Sequence, residues 1–469
     1  MVAPFVLVLG LTHCGGPLSE SESESESQPP ASETEALAVA EVAALRDSCP
    51  RARLIEDINE GPDPSTIANL TDVDGTLFFT ADDGKHGVEL WRSDGTRGGT
   101  RLVKDITPGT ADSDIRELTE VKGKVFFAVG SELWKSDGTE RGTMRLKTFE
   151  VGLIPAPQFL FEYRGKLVFQ GLDAEHGAEV WESDGTSRGT KLLFDVNPGP
   201  GGSAPRSFTE LEGDLVFQVD TDATVKLVKL EDRKRVVELA DLGDESDIRK
   251  TLVEGSRLFI FYTDEGDPVV AVTTGRPGSF QILFSSPRIT TRSVRDLVAL
   301  EGKVYFQVNS ELWVTDGTES GTRRVKDILP GEEDNEVLLF LTVLSDRLYF
   351  SANDGVHGRE LWVSDGTERG TRLFADINPG SASSSPTDLL SVHNSKMFFA
   401  ADDGVHGREP WKLHRGERPM LLMDIVPGRA SSSPRGFIRS DDEIFFAADD
   451  GHSGEELWAT PKEHRDCHR

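Results

Sequence analysis

The amino-acid sequence predicts an all-β fold, a single β-propeller in which four-stranded antiparallel blades are arranged in a ring. Two patterns inside the chain predict it: a unit of about 45 residues recurs along the sequence, and each well-kept unit contains short apolar runs separated by turn residues. A third observation is that the two ends of the chain complement each other. The repeat count favours nine blades, and eight is the alternative.

The tryptophans mark the repeat, because all seven fall in Glu-Leu-Trp or a close variant of it. Neighbouring tryptophans are about 45 residues apart, except for one gap about three times as long. That gap leaves room for two degenerate copies, near residues 226–229 and 269–272. Repetition favours packing between adjacent blades over a stacking platform for sugars or a quinone. The residues concerned are Trp91, Trp134, Trp181, Trp313, Trp362, Trp411 and Trp458.

The unit at residues 337–380 shows the predicted strand pattern most clearly. Its apolar runs are separated by turn residues, among them Asp365-Gly366, because glycine accepts the positive φ that a tight hairpin needs. Pro379-Gly380 ends the fourth run. Four short strands per unit form one antiparallel blade. A β-solenoid and a row of small sandwiches are the alternatives.

The chain ends favour a closed ring over those alternatives. The last unit stops after Trp458 without a fourth strand, whereas the folded part opens with a spare strand at residues 53–58. Its pattern matches the fourth strands at 102–106 and 421–425. If the spare strand completes the last sheet, it pairs the open edge of that sheet. A linear array does not need such pairing between its two ends.

Two cysteines flank the predicted ring. Cys49 precedes the spare strand and Cys467 follows the last tryptophan unit, so ring closure would bring them together. In an oxidising compartment we expect them to form a disulfide, and two free terminal thiols are the alternative.

The N-terminal segment predicts export. Residues 1–13 contain an apolar run that is too short to cross a membrane as a helix but is typical of an export signal. The segment resembles a bacterial lipoprotein signal, which implies cleavage before Cys14, acylation of that cysteine, and an outer-membrane or cell-surface location; plain secretion is the alternative. Residues 14–48 form an acidic Ser/Glu-rich tether, with a short helix predicted over 34–47, and the propeller occupies 49–469.

Composition limits the partners. The formal net charge of -30 repels phosphate backbones and excludes nucleic acid as a partner. The same charge favours solubility and attracts cations or basic proteins. We expect a monomer that contacts the membrane only through its N-terminal lipid.

The tryptophan motif is similar to that of the ELWxxDGT repeat family of bacterial secreted and surface proteins. Glu-Leu-Trp-x-x-Asp-Gly-Thr is intact around Trp91, Trp134, Trp313 and Trp362, and the resemblance spans residues 53–461. The family is defined by its repeat and not by an activity. The resemblance therefore implies the repeat fold and an exported setting, and implies no reaction.

A second recurring element, Asp-Asp-Gly-x-His-Gly, supplies the candidate ligand surface. Antiparallel topology places these loops on one face with the Ser-rich connections at 379–386 and 427–434, and places the Asp-Gly-Thr turns on the other face. Carboxylates suit Ca²⁺ and histidine with aspartate suits Zn²⁺, whereas turns that cap their own backbone are the alternative. The candidate residues are Asp82, Asp83, His86, Asp354, His357, Asp402, Asp403, His406, Asp449 and Asp450.

The sequence contains none of the usual catalytic motifs, neither a Gly-x-Ser-x-Gly elbow nor His-Glu-x-x-His nor a phosphate-binding glycine loop. We therefore expect a non-enzymatic surface protein that presents a propeller face to a protein, a glycan or a cation. A carbohydrate-active enzyme with an axial site and a Ca²⁺-binding structural protein are the alternatives, and the latter would take Ca²⁺ as its cofactor. Residues 206–285, which have lost the repeat motif, are where the ring symmetry would break; they contain Asp220, Asp222, Asp264 and Asp267.

Overall fold

The computed structural model describes residues 52–149, 156–221, 224–286, 296–330 and 339–460. The predicted signal, tether, short helix and all three cysteines, Cys14, Cys49 and Cys467, lie outside these ranges. Apart from the 3₁₀ helix η1 (Arg97–Gly99), the regular elements within them are β-strands. No helix in these ranges has the length and hydropathy that a membrane crossing requires.

The strands form nine four-stranded antiparallel sheets. Blades 1 to 3 contain β2 (Ala68–Val73), β3 (Thr76–Asp82), β4 (Val88–Ser93), β5 (Arg101–Lys104); β6 (Ile115–Glu120), β7 (Val125–Val129), β8 (Glu132–Ser136), β9 (Met144–Thr148); β10 (Gln158–Tyr163), β11 (Lys166–Asp173), β12 (Gly177–Ser183) and β13 (Lys191–Phe194). Blades 4 to 6 contain β14 (Arg206–Leu211), β15 (Asp214–Thr221), β16 (Thr224–Glu231), β17 (Arg235–Gly243); β18 (Asp247–Glu254), β19 (Arg257–Asp264), β20 (Asp267–Thr273), β21 (Gln281–Ser285); β22 (Leu297–Leu300), β23 (Lys303–Val308), β24 (Glu311–Thr315) and β25 (Arg323–Asp327). Blades 7 to 9 contain β26 (Leu339–Leu344), β27 (Arg347–Asn353), β28 (Arg359–Ser364), β29 (Arg372–Ala375); β30 (Thr387–Val392), β31 (Lys396–Asp402), β32 (Arg408–His414), β33 (Met420–Leu421); β34 (Arg435–Ser440), β35 (Glu443–Asp449), β36 (Glu455–Ala459) and, as the outermost strand, β1 (Arg53–Glu56).

The sheets form a closed ring, a nine-bladed β-propeller. The first strand of each blade contacts the first strands of the blades on either side, and the ninth of these strands, β34, contacts β2 of blade 1. These strands therefore surround the axis, and the fourth strands lie outermost. The degenerate copies predicted near 226–229 and 269–272 are the third strands of blades 4 and 5, which decides the count in favour of nine.

The ring closes through the borrowed strand that the sequence predicts. β1 pairs antiparallel with β36, with Arg53 opposite Ala459. The strand is shorter than the predicted 53–58, because the amides of Ile58 and Asn59 donate to the Glu456 carboxylate, at 3.1 and 3.4 Å, and not to β36.

The second strands are buried on both sides because each blade packs between two neighbours. In β3, Leu77, Phe79 and Ala81 are completely inaccessible, and Phe78 on the other side of the sheet is 3% exposed. Strands that are buried on both faces appear in a sequence as continuous apolar runs. This part of each repeat therefore does not alternate between apolar and polar residues.

The tryptophans pack between adjacent blades. Trp362 of blade 7 lies in one cluster with Leu312 and Val325 of blade 6, and Trp91 of blade 1 packs against Ile55 and Phe445 of blade 9. Trp134, Trp181, Trp313, Trp411 and Trp458 occupy the same kind of position against the preceding blade. The repeat element is thus the packing layer between sheets.

Truncating Trp362 should therefore destabilise the ring. We expect Trp362→Ala to lower the free energy of unfolding by about 3–5 kcal/mol, because it opens a cavity between blades 6 and 7. Val356→Ala is the control, since that side chain is 65% exposed. Chemical denaturation followed by tryptophan fluorescence measures both, and equal stability of the two variants would contradict the packing role.

Candidate functional site

The Asp/His loops and the connections between blades lie together on one face. Ser113 of the connection after blade 1 donates its amide to the carbonyl of Val88, next to the loop of that blade, at 3.0 Å, and Ser433 does the same to Arg408 at 3.1 Å. We call this surface the loop face. The Asp-Gly-Thr turns join the third and fourth strands at the opposite ends of those strands, on what we call the turn face.

Each Asp/His loop is held by hydrogen bonds to itself. In blade 8, Asp403 Oδ1 accepts from the amides of Val405 and His406 at 2.9 and 2.8 Å, and Asp403 Oδ2 lies 2.7 Å from His406 Nδ1. Asp402 Oδ1 accepts from the amide of Gly404 at 2.7 Å. Both carboxylates therefore cap the turn they belong to, as Asx turns do.

The same arrangement recurs around the ring. The paired residues in the other blades are His86 with Asp83, His176 with Asp173 and His357 with Asp354. Blade 9 differs, because Asp449 and Asp450 cap their loop but Ser453 occupies the place of the histidine and His452 lies one residue earlier.

The structure does not bring the candidate ligands together. They belong to separate loops, and within the described ranges no group of three or more His, Cys, Asp or Glu side chains could hold a metal ion. The aspartate oxygens that a cation would need accept backbone amides of their own turns instead.

A buried glutamate that sequence reasoning missed fixes the loop face. Glu360, the first residue of Glu-Leu-Trp in blade 7, is completely buried and accepts from the amides of Ile377 and Ser384 at 2.8 Å each. The Ser384 hydroxyl donates to it at 2.6 Å. The equivalent residues are Glu89, Glu179, Glu409 and Glu456. The sequence pattern that accompanies these glutamates is a serine that recurs in the connection after the same blade: Ser113, Ser203, Ser384 and Ser432.

The same set of hydrogen bonds also closes the ring. Glu456 accepts from Ile58 and Asn59 and from the Ser65 hydroxyl, so the segment before blade 1 is held as an ordinary connection between blades. Burial raises the pKa of Glu456 to about 7, although the hydrogen bonds from Ser65 and the two amides act in the opposite direction.

Blades 2 and 6 use the same glutamate differently. Their hairpins are shorter, and Glu132 accepts from the indole of Trp134 at 2.9 Å and pairs with Arg145 at 2.5 Å. Glu311 accepts from Trp313 at the same distance and pairs with Arg324. The identical sequence element thus has two structural roles, decided by hairpin length.

The Asp-Gly-Thr turns are structural. In blade 7, Asp365 Oδ1 accepts from the amide and hydroxyl of Thr367 at 3.0 and 2.6 Å, while Ser364 and Thr371 share a hydrogen bond of 2.7 Å. These bonds lower the pKa of Asp365, the hydrogen bond from the Thr367 side chain most of all.

The innermost strands bridge neighbouring blades around the axis. Glu117 Oε2 accepts from the amide of Leu160 in blade 3 at 2.8 Å, and Ser207 donates to the carbonyl of Ile248 in blade 5 at 3.3 Å. Burial raises the pKa of Glu117. Asp388, at the same strand position, belongs to blade 8, and blades 9 and 1 separate it from Glu117.

Blade 4 breaks the regularity of the loop face with a concavity of about 450 Å³. Asp220 lines it and pairs with Arg206 at 2.7 Å, while Asp264 of blade 5 accepts from Ser246 at 3.4 Å. Asp267 begins the third strand of blade 5, and Asp222 lies outside the described residues. The lining residues are Asn197, Arg206, Asp220, Thr221, Thr224, Val225, Asp244, Glu245 and Ser246.

Charge is distributed unequally between the two faces. In the described segments between strands, the loop face contains one lysine and one arginine, Lys85 and Arg429, beside the histidines of its loops. Against these stands a long series of acids: Asp57, Glu60, Asp63, Asp83, Asp105, Asp112, Asp114, Glu175, Asp195, Asp244, Glu245, Glu265, Asp296, Asp354, Asp376, Asp403, Asp424 and Asp450. The turn face mixes acids with many basic residues: Arg97, Lys122, Lys124, Arg141, Arg164, Arg188, Arg233, Lys234, Arg276, Arg369, Arg415 and Arg418. Negative charge is therefore concentrated on the loop face.

Comparison with known proteins adds no function. No protein-family model matches the chain, and no curated protein matches it. Among solved structures, the chain is similar to the Dos1 propeller (11% identity, 76% of this chain and 93% of that chain, TM-score 0.47) and to BamB from Moraxella catarrhalis (10% identity, 75% and 98%, TM-score 0.41). It is also similar to a prolyl endopeptidase, of which it covers 61% (12% identity, 83% of this chain, TM-score 0.42). At these values the likenesses carry no argument about activity.

Glu456 should make ring stability depend on pH. Its pKa rises from 4.5 to about 7 on folding, so the folded state binds more protons between these values and stability falls as pH rises through them. We expect the stability of the wild type relative to Glu456→Gln to drop by about 3 kcal/mol from pH 4.5 to pH 8. Urea denaturation across that range measures it. Glu60→Gln, on the exposed part of the same segment, is the control, and parallel profiles of wild type and Glu456→Gln would refute the assignment.

The Asp/His pairs should be visible by NMR. The hydrogen bond with Asp403 raises the pKa of His406 above its ordinary value, and burial of the ring only partly opposes it. We expect Asp403→Asn to lower the pKa of His406 toward about 6.5 and to leave that of His357 unchanged. Imidazole proton shifts followed during a pH titration measure both values. An unchanged His406 would mean that the pair does not form in solution.

Proposed function

We propose that the chain is a non-enzymatic binding protein of the bacterial cell envelope whose loop face engages a protein partner with a basic surface. The observation that carries the proposal is the concentration of acidic residues on the loop face. A surface dominated by charge of one sign accelerates encounter with an oppositely charged partner and excludes acidic ones.

The construction of the loop face supports a binding role. Its loops are fixed by their own Asp/His bonds and by the buried glutamates beneath them, so little conformational entropy is lost on association. Two adjacent loops also expose apolar tips, Val356 at 65% and Val405 at 59%. Together they offer a small apolar contact within a polar, acidic surface, an arrangement typical of protein interfaces.

The expected location agrees with this role. The resemblance of residues 1–13 to a lipoprotein signal supports acylation at Cys14, and the segment up to residue 48, fully extended, would span on the order of 100 Å. Such a tether would leave the propeller free to meet partners away from the membrane. We include outer-membrane or cell-surface attachment in the proposal, with secretion as its alternative.

Strand pairing supports the Cys49–Cys467 disulfide as part of the same proposal. Because Arg53 lies opposite Ala459, the chain before β1 and the chain after β36 leave the sheet at the same end. Cys49 and Cys467 lie a few residues beyond those points, and export would supply the oxidising compartment.

Binding to a cationic probe should depend on loop-face charge. We expect the mature chain to bind an oligolysine peptide at low salt, with an affinity that falls steeply as salt is added. Glu60→Gln/Asp63→Asn/Glu175→Gln, three exposed loop-face changes, should weaken binding severalfold. Glu140→Gln/Glu319→Gln/Glu368→Gln is the matched turn-face control. Biolayer interferometry measures both, and no binding at low salt, or an equal effect of the two triple variants, would count against the proposal.

A further inference from the structure

We propose that the concavity at the boundary of blades 4 and 5 is a binding site for a saccharide. This proposal goes beyond the binding of a basic protein, because the site contains donors as well as acceptors. The site also lies where the Asp/His loop pattern is interrupted. Its volume of about 450 Å³ falls within the range of about 300–1,000 Å³ that small-ligand sites occupy.

Arg206 supplies an oriented donor group at this site. Its Nη1 lies 2.7 Å from Asp220 Oδ2 and 3.4 Å from the Ala204 carbonyl, and its Nε lies 3.5 Å from Asp247 Oδ1. In the described part of the chain, these bonds leave Nη2 without a partner. The guanidinium is therefore held in place while part of its donor capacity remains for a ligand.

Gln218 is paired with Arg206 across the two strands but does not itself line the concavity. It lies opposite Arg206 in the pairing of β14 with β15, so both side chains project from the same side of the sheet. The residue is completely buried, Oε1 accepts from the amide of Ile248 at 2.9 Å, and Nε2 has no hydrogen bond. Gln170 of blade 3 also has an unpartnered Nε2, and both amide atoms of Gln307 in blade 6 are unpartnered, so this feature is not particular to blade 4. The donor that lines the concavity is therefore the Arg206 guanidinium, whereas Gln218 holds the start of blade 5 through its bond from Ile248.

The rim supplies free acceptors. Asp244 and Glu245 are exposed, and neither side chain forms a hydrogen bond or an ion pair with the described residues. Thr221 belongs to the same lining, and Val225 is its one apolar residue. The Arg206 guanidinium and the two carboxylates thus line one concavity.

This lining selects a hydroxyl-rich, uncharged ligand. An anion would meet Asp220, Asp244 and Glu245, and a simple cation would leave the Arg206 donor unused. An apolar ligand would find a single valine. A sugar hydroxyl both donates and accepts, so neighbouring hydroxyls of one ring can satisfy both kinds of group.

The test uses the mature chain and named sugars. We expect isothermal titration calorimetry to detect binding of at least one of glucose, galactose, mannose and N-acetylglucosamine, or of a β-linked or α-linked oligomer of one of them. Monosaccharide binding would indicate a free sugar as ligand, and binding of oligomers only would indicate a polysaccharide. Asp244→Ala/Glu245→Ala should weaken the interaction at least tenfold, because each carboxylate accepts a hydroxyl. Glu60→Ala/Asp63→Ala is the matched loop-face control and should leave it unchanged.

The outcomes separate this site from the binding of a basic partner. Sugar binding that only the Asp244/Glu245 variant loses supports the site, whatever happens with oligolysine. No heat with any sugar, or equal weakening by both double variants, overturns it even if oligolysine binds. Arg206→Lys provides a second check, because it keeps the charge but loses the fork of donors, and it should weaken the sugar and leave oligolysine binding unchanged.

Discussion

The ring depends on a carboxylate buried beneath its loop face. In five blades the glutamate of Glu-Leu-Trp accepts two or three hydrogen bonds from the segment that leaves its own sheet, as Glu360 does from Ile377 and Ser384. Removing a charge from water is costly unless hydrogen bonds compensate it. The chain between blades is therefore constrained to a single path, and Glu456 imposes that path on the N-terminal segment, which makes closure geometrically equivalent to any other step around the ring.

This constraint shapes what the loop face can do. The conspicuous polar residues, such as Asp403 and His406, use their hydrogen-bonding capacity within their own loop. A partner would therefore meet the charge of the face as a whole and the side chains that the turns do not use. Blade 4 is different, because its loops follow other sequences, and there unpaired donors and acceptors surround a concavity.

Several features could be predicted because they depend on local chemistry. Asp365-Gly366 predicts a hairpin wherever it occurs, and the spacing of the tryptophans predicts sheets of equal size. The spare strand could be recognised because it keeps the apolar pattern of a fourth strand. Its end at Glu56 could not be predicted, because that end depends on Glu456, some 400 residues away. The role of the Asp/His loops could not be predicted in the same way, because Asp and His are turn-forming residues as well as metal ligands.

The sequence by itself determined the repeat, the four-stranded unit and the exchange of strands at the ends, because turn chemistry, apolar period and complementary ends are properties of short segments. The structure decided the count of nine, because blades 4 and 5 keep their strands without the repeat motif. Only the tertiary structure decided which polar residues are structural and which are free. Glu89 and Glu132 occupy the same place in the same motif, yet one is buried under a connection and the other pairs with an arginine. The difference depends on hairpin length and on what the neighbouring chain brings to each carboxylate, and neither can be read from the motif alone.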